Sequence, residues 1–190
     1  PRVVVSGDST GTVGLLTSGP FGTGNVNFGR NSQIELAGYS IGNTLKSTYA
    51  DPSPTIYLST GTSELSGQID LSLASSGLTL APALGSTLRL TGTLNTSTTD
   101  NVISIATKLK QTGAGNVFEG FSSVNAGYQI NLAATAGTWT MASDPGNSIG
   151  LGTKANLSLN GGTFDLAGND LAHGLSTDRR GVTLNGGTLK

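Results

Sequence analysis

The chain has 190 residues, of which only 11% are charged, with a net charge of −1 and no Cys. That excludes the long-range field that nucleic acid or an anionic membrane responds to, together with disulfides and thiolate metal sites. No apolar run approaches the roughly 18 residues of a membrane helix, and a mean hydropathy of −0.01 with low charge is the reverse of the disordered signature.

Taken in order, the apolar residues alternate with a period of two. The pattern predicts strands at Arg2-Val3-Val4-Val5, Asn25-Val26-Asn27-Phe28, Gln33-Ile34-Glu35-Leu36, Thr55-Ile56-Tyr57-Leu58 and Gln68-Ile69-Asp70-Leu71-Ser72-Leu73. It continues through Leu78-Thr79-Leu80 and Leu88-Arg89-Leu90. The stretch Thr93–Thr112 has neither Gly nor Pro, and its β-branched residues favour strand over helix. Then come Gln129-Ile130-Asn131-Leu132, Thr138-Trp139-Thr140-Met141, Leu157-Ser158-Leu159, Phe164-Asp165-Leu166 and Val182-Thr183-Leu184. Gly-Thr, Asn-Gly-Gly and Ala-Gly-Asn pieces lie between them and are expected to supply the positive-φ turn positions. Almost no helix is expected.

Repeats choose among the all-β architectures. Leu157-Ser158-Leu159-Asn160-Gly161-Gly162-Thr163-Phe164-Asp165-Leu166-Ala167-Gly168 has a looser copy at residues 26–38 and a shorter one at residues 182–190. Asn160-Gly161-Gly162-Thr163 returns as Asn185-Gly186-Gly187-Thr188 about 25 residues later, a coil's length in a solenoid. A single coil cannot bury its own apolar face, whereas stacked coils build a continuous core. The prediction is one domain over 1–190, an all-β parallel β-helix (β-solenoid) of roughly eight coils spaced about 4.8 Å apart. Glu35, Asp70, Arg89 and Asp165 each sit between two apolar residues and are therefore expected on the outside.

Four segments, 15–43, 88–117, 122–130 and 149–171, resemble the autotransporter-associated β-strand repeats of large bacterial surface proteins. The most specific piece is Thr112-Gly113-Ala114-Gly115; Asn116-Val117-Phe118-Glu119 departs from the Thr-Leu pair that usually follows, and residues 45–85 carry no recognised phrase. The resemblance implies an extracellular, passenger-like, right-handed parallel β-helix with a scaffold or adhesive role. It brings no catalytic residues.

One polar cluster tests the opposite reading. Asp170, His173, Asp178, Arg179 and Arg180 lie beside Asp165, and a glycan-cleaving β-helix would use such carboxylates as general acid and base. Such a site also needs aromatic sugar platforms, and the chain has one Trp and four Tyr. The segment is read as a solvated inter-coil loop. Asp8, Asp100, Asp144 and Asp178 are loop carboxylates of the kind Ca²⁺ takes, but no loop holds two acids one residue apart. A single His gives zinc little to bind, and Arg179-Arg180 with Lys108 and Lys110 is too sparse for nucleic acid. Thr138-Trp139-Thr140 is one triplet, not an ice-binding array. Trp139 is read as a core or corner filler whose indole N–H requires a partner. No catalytic residue, cofactor or metal ligand is assigned.

The ends carry the candidate site. Val3, Val4 and Val5 at one end, and Val182, Leu184 and Leu189 at the other, keep the interior alternation without a polar cap. Written end to end, the last phrase runs into the first without interruption. The chain opens Pro1-Arg2, without an initiator Met, and is expected to be a processed product or a piece of a longer rod. Self-association is expected, head to tail with another copy or as continuation of a longer chain, with surface glycans as a second partner class and no nucleic acid or membrane insertion. The function expected is therefore non-enzymatic, extracellular or bacterial cell-surface, structural or adhesive. A glycan-binding or glycan-cleaving β-helix and a trimeric phage fibre segment are the alternatives.

Overall fold

A computed structural model describes residues 2–12, 15–47, 54–72, 77–96, 108–124, 129–132, 137–141, 156–168 and 182–190. The first turn holds β1 (Arg2–Val5), then β2 (Thr10–Thr12) and β3 (Leu15–Ser18), then β4 (Val26–Phe28). The second holds β5 (Gln33–Leu36) and β6 (Leu45–Ser47). The third and fourth are β7 (Thr55–Leu58), β8 (Thr62–Leu65) and β9 (Ile69–Leu71), followed by β10 (Gly77–Pro82), β11 (Thr87–Leu90) and β12 (Thr93–Thr96). After them come β13 (Lys108–Gln111), β14 (Asn116–Glu119), β15 (Ser123–Val124), β16 (Gln129–Leu132) and β17 (Thr138–Met141). The last are β18 (Asn156–Leu159), β19 (Thr163–Asp165), β20 (Val182–Leu184) and β21 (Thr188–Leu189).

These strands stack into a β-solenoid with three faces. The first face is an eight-stranded sheet, β1-β5-β7-β10-β13-β16-β18-β20; the second runs β8-β11-β14-β17-β19-β21, and the third β4-β6-β9-β12-β15. Among the described residues every pairing between turns is parallel, and the one antiparallel pair is the β2–β3 hairpin. The expected eight coils correspond to the eight rungs of the first face. About four turns have all three faces built from described residues, counting the second, where Ile41 bridges to Leu65 on the second face. No helix occurs among the described residues.

The alternation read from the sequence becomes longitudinal rows. On the first face one inward row runs Val3, Ile34, Ile56, Leu80, Gln111, the Leu132 position, Leu159 and Leu184. On the second face Ser63, Leu88, Val117, Trp139, Phe164 and Leu189 form another. Internal members with described side chains are 3% exposed or less. Burying the Leu, Ile, Val and Phe members contributes roughly 1.5–3 kcal/mol each, which is how short strands with few aromatics sustain a core.

Two readings of the repeats change. The phrases at 182–190 and 157–168 do lie on adjacent turns: Asn185 Nδ2 donates to Asn160 Oδ1 at 3.0 Å across 25 residues, and Thr188 pairs with Thr163. The upstream copy does not occupy that corner. Its Val26–Phe28 and Gln33–Leu36 pass from the third face to the first, whereas Asn156–Leu159 and Thr163–Asp165 pass from the first to the second. The phrase encodes two strands and a corner. All three faces want the same inward alternation, so the phrase serves at more than one corner.

Glycine also serves a purpose beyond turn dihedrals. Gly92 and Gly67 meet at successive corners, where a Cβ on Gly92 would fall inside the van der Waals radius of Gly67 O. The same holds for Gly137 against Gly115 O, and neither Gly92 nor Gly137 has a positive φ. Backbones stacked at rung spacing leave no room for a side chain there.

Candidate functional site

The second face carries a column just outside the core. Thr62, Thr87, Asn116, Thr138, Thr163 and Thr188 open its six strands in register. The first five each follow a corner residue whose carbonyl accepts the next turn's amide: Thr138 N donates to Gly115 O at 3.2 Å, and Thr163 N to Gly137 O at 3.0 Å. The adjoining outward column reads Glu64, Arg89, Phe118, Thr140 and Asp165. Its mixed chemistry gives no two-column threonine array. Arg89 stacks on the Phe118 ring at 4.4 Å, covering that aromatic with a cation.

The four charges expected outside are only partly solvated, because neighbouring rungs pair them. Glu35 takes hydrogen bonds from Ser59 and Arg2, in that order of effect, which hold its carboxyl below the usual range. Asp165 is lowered by the Ala167 amide, at 2.9 Å, and then by Lys190, at 3.2 Å. For Asp70, burial pushes the pKa up. Hydrogen bonds from Ser72 and Asn95, with Lys46 Nζ at 3.5 Å, outweigh that and leave it lowered. These are structural pairings between turns.

Trp139 is fully buried, and its Nε1 donates to Glu119 Oε2 at 2.7 Å. The partner that the indole required is therefore a carboxylate at an inward position, between Leu90 and Met141 in the row. Period-two parity could have found it, since Val117 and Glu119 share a face opposite Phe118. Residue chemistry points the other way, toward Phe inside and Glu outside.

The polar candidates divide. Asp100, Asp144, Asp170, His173, Asp178, Arg179 and Arg180 lie outside the described residues. Asp8 is committed to a backbone contact, its Oδ1 accepting from Ser40 N at 2.7 Å. Among the described residues no group of three or more His, Cys, Asp or Glu is placed to hold a metal.

The six end residues fare differently from one another. Val3 and Val4 are 49% and 59% exposed, Val3 on the inward row and Val4 on the outer surface beside the Glu35 position. Val5 is buried at 1% as a member of the core cluster, so it is not available at the end. Leu184 and Leu189 belong to inward rows directly over Leu159 and Phe164, yet are 53% and 37% exposed. Val182 pairs with Leu157 on the same edge. Val3 and Leu184 are the two termini of one row on the first face, and the structure brings no others of the six into such a relation.

No family model, curated protein or solved structure matches this chain.

Proposed function

We propose that the protein is a non-enzymatic, extracellular structural or adhesive element of a bacterial surface, and that its stack is lengthened end to end. The next turn comes from a second copy, head to tail, or from further chain of the same rod. The observation that carries this reading is the row from Val3 to Leu184. Its internal described members are buried, and both extremes stand about half exposed. An inward apolar side chain left in that state is the surface that each earlier turn offers to its neighbour. The sparse charge agrees, since charged edges are a usual device for preventing strand addition. The segments 15–43 and 149–171, which resemble autotransporter-associated repeats, agree too, because their described parts at residues 26–38 and 157–168 fold as strand, corner and strand.

Electron microscopy and sedimentation over about a tenfold concentration range test the proposal. The native chain associates end to end in multiples of one subunit length, and Leu184→Lys, which places a charge in the row, abolishes the association. Monomers throughout, or association that Leu184→Lys leaves intact, would refute it.

A further inference from the structure

Residues 6–25 leave the stack between β1 and β4, at the place where later turns put a second-face strand. They are held there by several independent contacts. Ser9 N donates to Ser40 O at 3.0 Å, and Asp8 Oδ1 accepts from Ser40 N at 2.7 Å, so both main-chain groups of Ser40 are taken. Asn43, 1% exposed, accepts from Ser9 Oγ at 3.2 Å and donates to Gly22 O at 3.0 Å and Gly24 O at 2.8 Å. Leu16 lies so close to Gly42 that no Cβ fits between them, and Phe21 packs on the core.

A sheet edge accepts another strand through a free alternating row of N–H and C=O groups. On the second face the edge at Ser40 and Ile41 offers no such row. A side-chain carboxylate closes one group, and the segment that closes the other turns away into an antiparallel hairpin, which gives a parallel stack no template. The first and third faces keep their edges, at β1 and β4.

We propose that residues 6–25 are an edge cap that ends the second sheet. The stack then gains turns at the β20–β21 end and meets a neighbour at the other end only along the first and third faces, at β1 and β4. This rests on the stacking reading above and adds a direction to it. The cap acts as an autoinhibitory contact against indefinite growth of copies on one another. Asn43 is the side chain that ties its two halves together.

The test compares the native chain with a variant in which residues 10–18 are replaced by Gly-Ser-Gly, and with Asn43→Ala, which loosens the cap without shortening the chain. Emission of Trp139, buried in a distant turn, reports that each remains folded. The shortened variant is expected to form long filaments at least about tenfold below the concentration at which the native chain associates. Asn43→Ala shifts the threshold in the same direction, with faster amide exchange at Ser40. Long filaments from the native chain, or equal thresholds in all three proteins, would overturn the cap and leave stacking intact. Monomers in every form would overturn the stacking reading, and the cap with it.

Discussion

Replacing Glu119 by Ala separates two contributions to the interior of the solenoid. The carboxylate accepts the Trp139 indole N–H at 2.7 Å in a site where both side chains are at most 3% exposed. Its loss leaves a buried donor unsatisfied at roughly 1–3 kcal/mol. Truncation also opens a void beside Leu90 and Met141, which brings the cost for Glu119→Ala to roughly 3–5 kcal/mol. Glu119→Gln keeps an oxygen acceptor for the indole at nearly the same side-chain volume, so it should change stability by less than about 1 kcal/mol. Urea unfolding followed by Trp139 emission measures both, and the chain has a single Trp, so the signal belongs to this site. Equal loss in the two variants would show that charge, not acceptor geometry, matters. A fully stable Glu119→Ala would refute the argument.

Three further outcomes follow from the packing. Gly92→Ala places a Cβ against Gly67 O and should cost more than about 3 kcal/mol, whereas Gly7→Ala, with nothing within 4 Å of the new Cβ, should be near neutral in thermal unfolding. Asn43→Ala strands the carbonyls of Gly22 and Gly24, and limited proteolysis should cut at residues 19–25 sooner than in the native chain. Asp70 is held below its ordinary 3.8. Its contribution is therefore present above that value and lost as pH falls through the lower folded value. The urea midpoint should drop between about pH 5 and pH 3, and Asp70→Asn should flatten that drop.

Much of the architecture was legible because one physical rule repeats. Ile34 and Leu36, Ile69 and Leu71, and Leu88 and Leu90 are inward as alternation requires, and the Asn-Gly-Gly-Thr spacing marks a true rung. The excursion at residues 6–25 was not legible. Its hairpin is short and its anchoring falls to Asp8, Ser9 and Asn43, polar residues whose partners lie some 20 to 34 positions away. Glu119 was hidden for a related reason, since its burial is decided by the indole on the next turn. The corner glycines were credited to φ because a sequence shows a turn, whereas the neighbouring backbone that excludes a Cβ belongs to a different turn. In each case the deciding contact is between rungs.

The register columns also govern how such a chain can change length. Asn95 with Asp70, Asn185 with Asn160, and Lys190 with Asp165 all meet across 25 residues. Removing or duplicating one such block returns each residue to an equivalent column. Losing a single residue within a strand turns its inward side chains out and its outward ones in. A change of length that keeps these columns is therefore one of whole rungs, whereas a single-residue slip within a strand breaks every column on that strand at once.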